Sequence, residues 1–344
     1  MHDKKFLKAG LLTLFLLLVV VISWESYLRS KGNIISYDDG AELWSNKRAK
    51  VYQKNATVFI GSSRIKFDLD IATWRKLTGE DAVQLAIEGE SPTPILHDLA
   101  EDKKFKGKLV VDVTEGLFFS SSPVNTTTPK KFIDHFKKET PSQKFSFQLN
   151  HFAESKFVFL DKHYFSLEAL WDIAPVQKRK GVFAMPHDFP IEFQRKNFDR
   201  QTCISPNFLV DTNLQRQVTS LWEFFASISD EKPPTGTKLD SFLLGIKTDV
   251  DKIVARGGKV LFVRTPSSGP YWMGEQKAFP RTEYWDHLLK FTNTPGIHFA
   301  DYPAIDHFVC PEWSHLSQPD AIKFTENFVA ILEKDKGWKF KKNL

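Results

Sequence analysis

The sequence predicts an α/β domain built on a parallel sheet and preceded by one membrane-spanning helix. Two observations carry this. Short, continuously apolar runs recur at 57–61, 82–87, 109–113, 259–263 and 296–300, with helical stretches between them. Strands buried on both faces read this way, and a sheet covered by helices on both faces is a parallel one. The second observation is residues 9–24, which carry no charge and follow Lys4, Lys5 and Lys8.

The elements follow in chain order. Sixteen uncharged residues fall short of a bilayer core of roughly 30 Å. Counted from Phe6, with Lys8 reaching back to the interface, the stretch is nearly long enough. No small-x-small cleavage pattern follows, which favours an uncleaved signal anchor over a removed signal peptide. Lysines before the span place residues 1–8 in the cytoplasm and the rest outside. Residues 25–50 read as a stalk, and 51–344 as the domain.

A strand at 57–61 leads through a loop into a short helix within 65–77. A second strand, 82–87, ends at Glu88-Gly89-Glu90-Ser91, and a helix spans 94–104. The third strand is 109–113. Between about 120 and 238 the alternation breaks, which marks a long insertion with a helical run at 213–229 and an exit turn at Pro233-Pro234-Thr235-Gly236. A helix over 239–256 stops at Gly257-Gly258. Strands at 259–263 and 296–300 follow. The closing helix, 319–334, puts Ala321, Phe324, Phe328 and Ile331 on one face. A lysine-rich tail ends the chain and reads as a solvated end.

Composition narrows the function classes. Apolar residues make up 42% of 344 residues and charged residues 26%, enough for a sizeable core. Net charge is +5 with no basic stripe interleaved with aromatics, which argues against nucleic acid as a partner. Cys203 and Cys310 form no C-x-x-C, so a thiolate zinc site is not supported; whether the two pair is left open. No cofactor fingerprint is present. The 31 phenylalanines read mainly as core.

Ligands of open α/β sheets bind outside the carboxyl ends of the strands. The loops there start at Gly61-Ser62-Ser63-Arg64, Glu88-Gly89, Thr114-Glu115-Gly116 and Arg264-Thr265-Pro266-Ser267-Ser268. Glu312-Trp313-Ser314-His315-Leu316, before the last helix, reaches the same edge. A serine hydroxyl needs a base to take its proton, and the base needs an acid to fix its tautomer. Ser63, His315 and Glu312 are the candidates for these roles. Backbone N–H groups of Ser63 and Gly89, with Thr114, are candidates for an oxyanion hole. Arg64, Arg264, Ser267 and Ser268 are candidates for substrate contact. Ser62 and Ser63 are alternatively helix caps. A metal site from Asp301, Asp306, His307 and His315 matches no standard ligand spacing.

Val58-Phe59-Ile60-Gly61-Ser62-Ser63-Arg64, Leu85-Ala86-Ile87-Glu88-Gly89 and Glu312-Trp313-Ser314-His315 resemble the conserved blocks of the SGNH (GDSL-like) hydrolase superfamily. More narrowly, the chain resembles its membrane-anchored periplasmic branch, which includes alginate O-acetylation and teichoic acid D-alanylation proteins. The resemblance covers roughly 55–120 and 240–335. It implies a flavodoxin-like three-layer sandwich with Ser63 as nucleophile, His315 as base, Glu312 as third member and Gly89 as oxyanion donor. It also implies passage of an acyl group, acetyl above all, to a polysaccharide hydroxyl or to water; transfer has an integral membrane acyltransferase as donor partner, and esterase activity would use the same residues. Two departures stand out. Glu312 replaces the family's aspartate, with Asp306 in reserve, and the third block, Asp112-Val113-Thr114-Glu115-Gly116, has no asparagine. These departures motivate a second reading, a non-catalytic carbohydrate-binding or scaffold protein on the same fold, in which Tyr271, Trp272, Trp285 and Trp313 stack on sugar rings.

Overall fold

The apolar runs pair into one parallel sheet. A computed structural model of the chain describes residues 2–120, 122–166, 169, 171 and 185–341. Strands are β1 (Ala56–Ile60), β2 (Asp81–Gln84), β3 (Lys108–Asp112), β4 (Arg195–Lys196), β5 (Thr202–Cys203), β6 (Lys259–Arg264) and β7 (Gly296–His298). The main sheet runs in the order β2-β1-β3-β6-β7, and every pairing in it is parallel. In register, Val58 lies beside Leu109, and Val111 beside Phe262. β2 is shorter than the run that announced it, yet its ladder continues: Leu85 N–H donates to Phe59 O at 2.8 Å and Ile87 N–H to Gly61 O at 3.2 Å.

Alternation along the strands builds two cores. Val58, Ile60, Leu109, Val111 and Phe262 face one. Phe59, Val110, Leu261, Val263 and Ile297 face the other. Helices Thr93–Glu101 and Gly236–Ala255 fill the first with Ile95, Leu99, Leu243 and Val250. Helices Ile71–Thr78 and Gln318–Lys334 fill the second with Trp74, Phe324, Phe328 and Leu332. Each such side chain stabilises the fold by about 1.5–3 kcal/mol relative to leaving it in water. The expected stripe Ala321, Phe324, Phe328 and Ile331 is buried along its whole length. Its helix starts where Ser317 Oγ accepts Asp320 N–H at 3.2 Å, with Pro319 in the first turn.

β1 ends at a glycine for lack of room. A Cβ on Gly61 would lie 2.5 Å from Asp112 Cβ and 2.8 Å from Ile65 Cγ2, so only glycine lets β1 and β3 approach at the sheet's edge.

The described residues fall into two compact units. One holds those up to Asp38 together with those between Pro141 and Phe183; the other holds the sheet. The first contains helix His2–Ser30, of which Lys4–Ser30 is long and apolar enough to cross a membrane. Its Leu11, Phe15 and Ile22 are exposed. The helix outruns the expected 9–24 span because nothing in 25–30 breaks it, and Glu25 pairs with Arg29 one turn on at 2.6 Å.

Within the segment expected as a stalk, Ala41–Arg48 is a helix of the sheet unit. Its Trp44 is fully buried and donates Nε1–H to Leu85 O at 2.9 Å. The 120–238 stretch divides between the two units. The sheet unit takes helices Thr127–Lys138 and Thr212–Ile228 and the β4–β5 ribbon. Arg200, in that ribbon's turn, donates to Gln84 O at 2.9 Å and Ala86 O at 3.0 Å, satisfying carbonyls at the end of the edge strand. Residues 121, 167–168, 170 and 172–184 of the stretch, and 342–344 of the basic tail, lie outside the described residues.

Candidate active site

Ser63 opens helix Ser63–Asp68 directly after β1, so its hydroxyl stands at the carboxyl edge of the sheet. His315 lies in the loop after Glu312, before helix Gln318–Lys334. The structure brings these residues together although 252 positions separate Ser63 from His315: Ser63 Oγ and His315 Nε2 are 2.8 Å apart. On the other side of the ring, Nδ1 is 2.9 Å from Glu312 Oε1. A carboxylate only accepts, so Nδ1 carries the proton. Nε2 is then the bare nitrogen and accepts a hydrogen bond from the Ser63 hydroxyl.

Glu312 is fully buried and its carboxylate accepts hydrogen bonds at both oxygens. Oε1 also accepts His315 backbone N–H at 2.7 Å, and Oε2 accepts Trp222 Nε1–H at 2.6 Å. The extra methylene relative to aspartate lets one carboxylate serve the imidazole and the indole at once. Asp306, the reserve acid, is exposed and lies 3.8 Å from His307, away from the triad. Asp301 is bound to Arg281, so the four-residue metal reading fails: its members are not gathered. Among the described residues, His97, Glu101 and Asp249 come together instead, and Lys252 pairs with Glu101 and lies 3.9 Å from Asp249.

The helix that opens with Ser63 also holds the loop that carries His315. Asp68 Oδ1, at its far end, accepts Leu316 N–H at 2.9 Å. Asp68 is buried, and that burial pushes its carboxyl well above the usual range. Trp313, between the acid and the base, has φ +78°, a left-handed conformation that costs a bulky residue about 1–3 kcal/mol. Its carbonyl accepts Ser268 N–H at 2.8 Å.

Gly89 and Thr114 line the same cavity as Ser63 and His315. Gly89 has φ +70°, a backbone conformation that favours glycine. The Thr114 hydroxyl is committed elsewhere: it donates to Asp112 Oδ2 at 3.1 Å and pairs with Ser62 Oγ at 2.7 Å. What Thr114 can offer an oxyanion is therefore its backbone. Ser62 is the helix N-cap by position, yet its side chain makes no capping bond, because it is turned to Thr114. Asp112 beneath them is pushed up to about 6 by burial, against the pull of Arg64. An asparagine does line the cavity: Asn125, from turn Pro123–Thr126, whose Nδ2 donates to Ser120 Oγ at 2.8 Å.

The expected substrate contacts of Arg64, Arg264, Ser267 and Ser268 are corrected by their surroundings. None of the four lines the cavity. Arg264 is fully buried, bonded to Glu115 at 3.0 Å, Ser267 Oγ at 2.8 Å and Glu275. Arg64 is bonded to the same Glu275 and lies 3.3 Å from Ser314 Oγ. Burial raises the Glu275 carboxyl, but Arg264 and Arg64 together pull it below the usual range. Ser268 Oγ accepts Cys310 N–H at 3.0 Å. Buried charges persist only when paired, and Arg64 ties this cluster to Ser314 in the loop that carries His315. Cys203 and Cys310 are both free thiols.

Trp222, Glu275 and Asn125 were not legible beforehand. Trp222 sits in an ordinary amphipathic helix, 90 residues from the acid it touches. Of the four rings considered for sugar stacking, Tyr271 and Trp313 line the cavity. Trp272 packs on Arg264, and Trp285 is buried against His298. No protein-family model matches the chain, and no curated protein matches it.

Proposed function

We propose that this protein is a serine esterase or O-acyltransferase working through an acyl-serine intermediate. The observation that carries the reading is the continuous hydrogen-bonded chain from Ser63 Oγ through His315 to Glu312. Ser63 Oγ attacks the ester carbonyl carbon while its proton passes to His315 Nε2. Glu312 stabilises the imidazolium. The ester C–O bond then breaks, and the imidazolium proton goes to the leaving oxygen. Water or an acceptor hydroxyl attacks the acyl-serine in turn, giving its proton to His315, and Ser63 Oγ recovers it as the new acyl product leaves. Backbone N–H groups of Ser63 and Gly89 are the proposed donors to the tetrahedral oxyanion.

The resemblance to SGNH hydrolases agrees with this chemistry. So does a flavodoxin-like three-layer reading of the fold, whose characteristic strand order 2-1-3-4-5 corresponds to β2-β1-β3-β6-β7. On the same resemblance we read helix Lys4–Ser30 as a single-pass anchor in the cytoplasmic membrane with the catalytic unit on the extracytoplasmic side, a polysaccharide hydroxyl as acceptor, and an integral membrane acyltransferase as donor. The test is turnover of p-nitrophenyl esters by the full chain and by Ser63→Ala. Loss of at least about 10³-fold supports the reading. Equal turnover by both would defeat it.

A further inference from the structure

We propose that the site takes an ester of an extended aliphatic acyl chain, a medium- or long-chain fatty acyl group, and not an acetyl ester. The inference rests on the serine reading above and names its substrate class.

The nucleophile opens into a cavity of about 920 Å3. Sites for small organic molecules run from about 300 to 1,000 Å3, so this one is large. An acetyl group would bring a single methyl into it. The walls are rings. Phe67, Phe193 and Trp222 surround the base, with centroids 4.3, 5.6 and 5.9 Å from the His315 ring. Phe225, Phe119 and Phe279 extend the apolar lining beyond them. These rings pack on each other: Phe225 on Trp222 at 6.2 Å, and Phe119 on Phe279 at 6.2 Å. They form two apolar ring clusters on the lining of one cavity, one around His315 and one around Phe119 and Phe279.

The polar groups of the lining are largely occupied. Glu275 is held by two arginines, and Glu88 by Lys66 and Lys196. Glu231 accepts the Ser120 hydroxyl at 2.7 Å. Among the described lining residues, Lys232 alone is a lysine or arginine, and it is exposed. An anionic sugar would meet little positive charge inside. A methylene chain asks for no hydrogen bonds and gains from each ring it touches.

Gly274 lies at the exposed rim of the cavity, within helix Gly269–Ala278, where glycine is a poor helix former and a Cβ would meet nothing within 4 Å. With the acyl carbon bonded to Ser63 Oγ, the chain would run past His315 along the rings toward this rim.

The experiment measures kcat/KM of the full chain in lipid nanodiscs on p-nitrophenyl acetate, butyrate, hexanoate and octanoate, less the rate of Ser63→Ala. Burial of each methylene is worth about fourfold, so octanoate is expected to exceed acetate by at least about 100-fold. Gly274→Leu, a better helix former, should lower the octanoate-to-acetate ratio at least tenfold by placing a side chain at the cavity's rim. Ser63-dependent turnover as fast on acetate as on octanoate would overturn the chain-length inference and leave the serine reading standing. An unchanged ratio in Gly274→Leu, with octanoate preferred, would overturn the assignment of the chain to this cavity. No Ser63-dependent turnover on any ester would remove the serine reading, and the inference with it.

Discussion

Trp222 Nε1 donates to Glu312 Oε2 at 2.6 Å, so the acid that orients His315 is itself held from its far side. The indole comes from helix Thr212–Ile228, in a segment remote in sequence from both ends of the triad. That segment therefore holds Glu312 in place as well as walling the cavity.

Trp222→Phe keeps most of the ring and removes the donor. A hydrogen bond to a charged group is worth about 1.5–3 kcal/mol, so a 10- to 100-fold fall in kcat/KM is expected. The pH profile separates positioning from mere packing. Without the indole N–H the carboxylate becomes more basic and holds the imidazolium more strongly. The acid limb of kcat/KM should then move upward, by roughly half to one pH unit. A fall in rate with an unmoved limb would make Trp222 a packing residue only.

Glu312 is expected to tolerate neither shortening nor neutralisation. In Glu312→Asp the shorter carboxylate must give up either Trp222 or His315, which should cost 10- to 100-fold in kcat. In Glu312→Gln the amide presents N–H to the indole N–H, and the imidazolium loses its counter-charge. A loss on the order of 10⁴-fold follows from the known cost of neutralising a triad acid. Circular dichroism of both variants should match the parent, which keeps the effect in the chemistry.

Asp112 makes the fold pH-sensitive. Its carboxyl titrates near 6 in the folded chain because it is buried. In the unfolded chain it titrates near 3.9. Between these values the folded state holds more protons, so this residue makes stability fall as pH rises from about 4 to 6. The shift is worth about 3 kcal/mol at full ionisation. Asp112→Asn should flatten the fall in Tm across that window relative to the parent. Identical slopes in parent and variant would show that Asp112 does not titrate there.

Much of the site was legible because its signals are local. Gly61 marks a close approach at a strand end, and the sequence already places two serines after it. Glu312 and His315 are three apart, close enough for an acid to reach back to the ring across one loop. The central strands were legible because burial on both faces writes a continuous apolar run. The arginines were misread because sequence gives their charge and not their partners. Arg64 and Glu275 lie 211 positions apart, and only the fold closes that pair. Trp222 was hidden for a related reason: an amphipathic pattern announces an apolar face but not which surface it meets. Helix Ala41–Arg48 was hidden because it is largely polar, and its Lys47 and Arg48 are buried only through distant partners such as Asp199 and Asp98.

The most direct test of the central claim is chemical. The full chain is treated with a fluorophosphonate that labels activated serines, digested, and mapped by mass. The expected result is one adduct on Ser63, absent after His315→Ala because the hydroxyl then has no base. A correctly folded protein that carries no adduct at Ser63, or carries the same adduct without His315, would contradict the account.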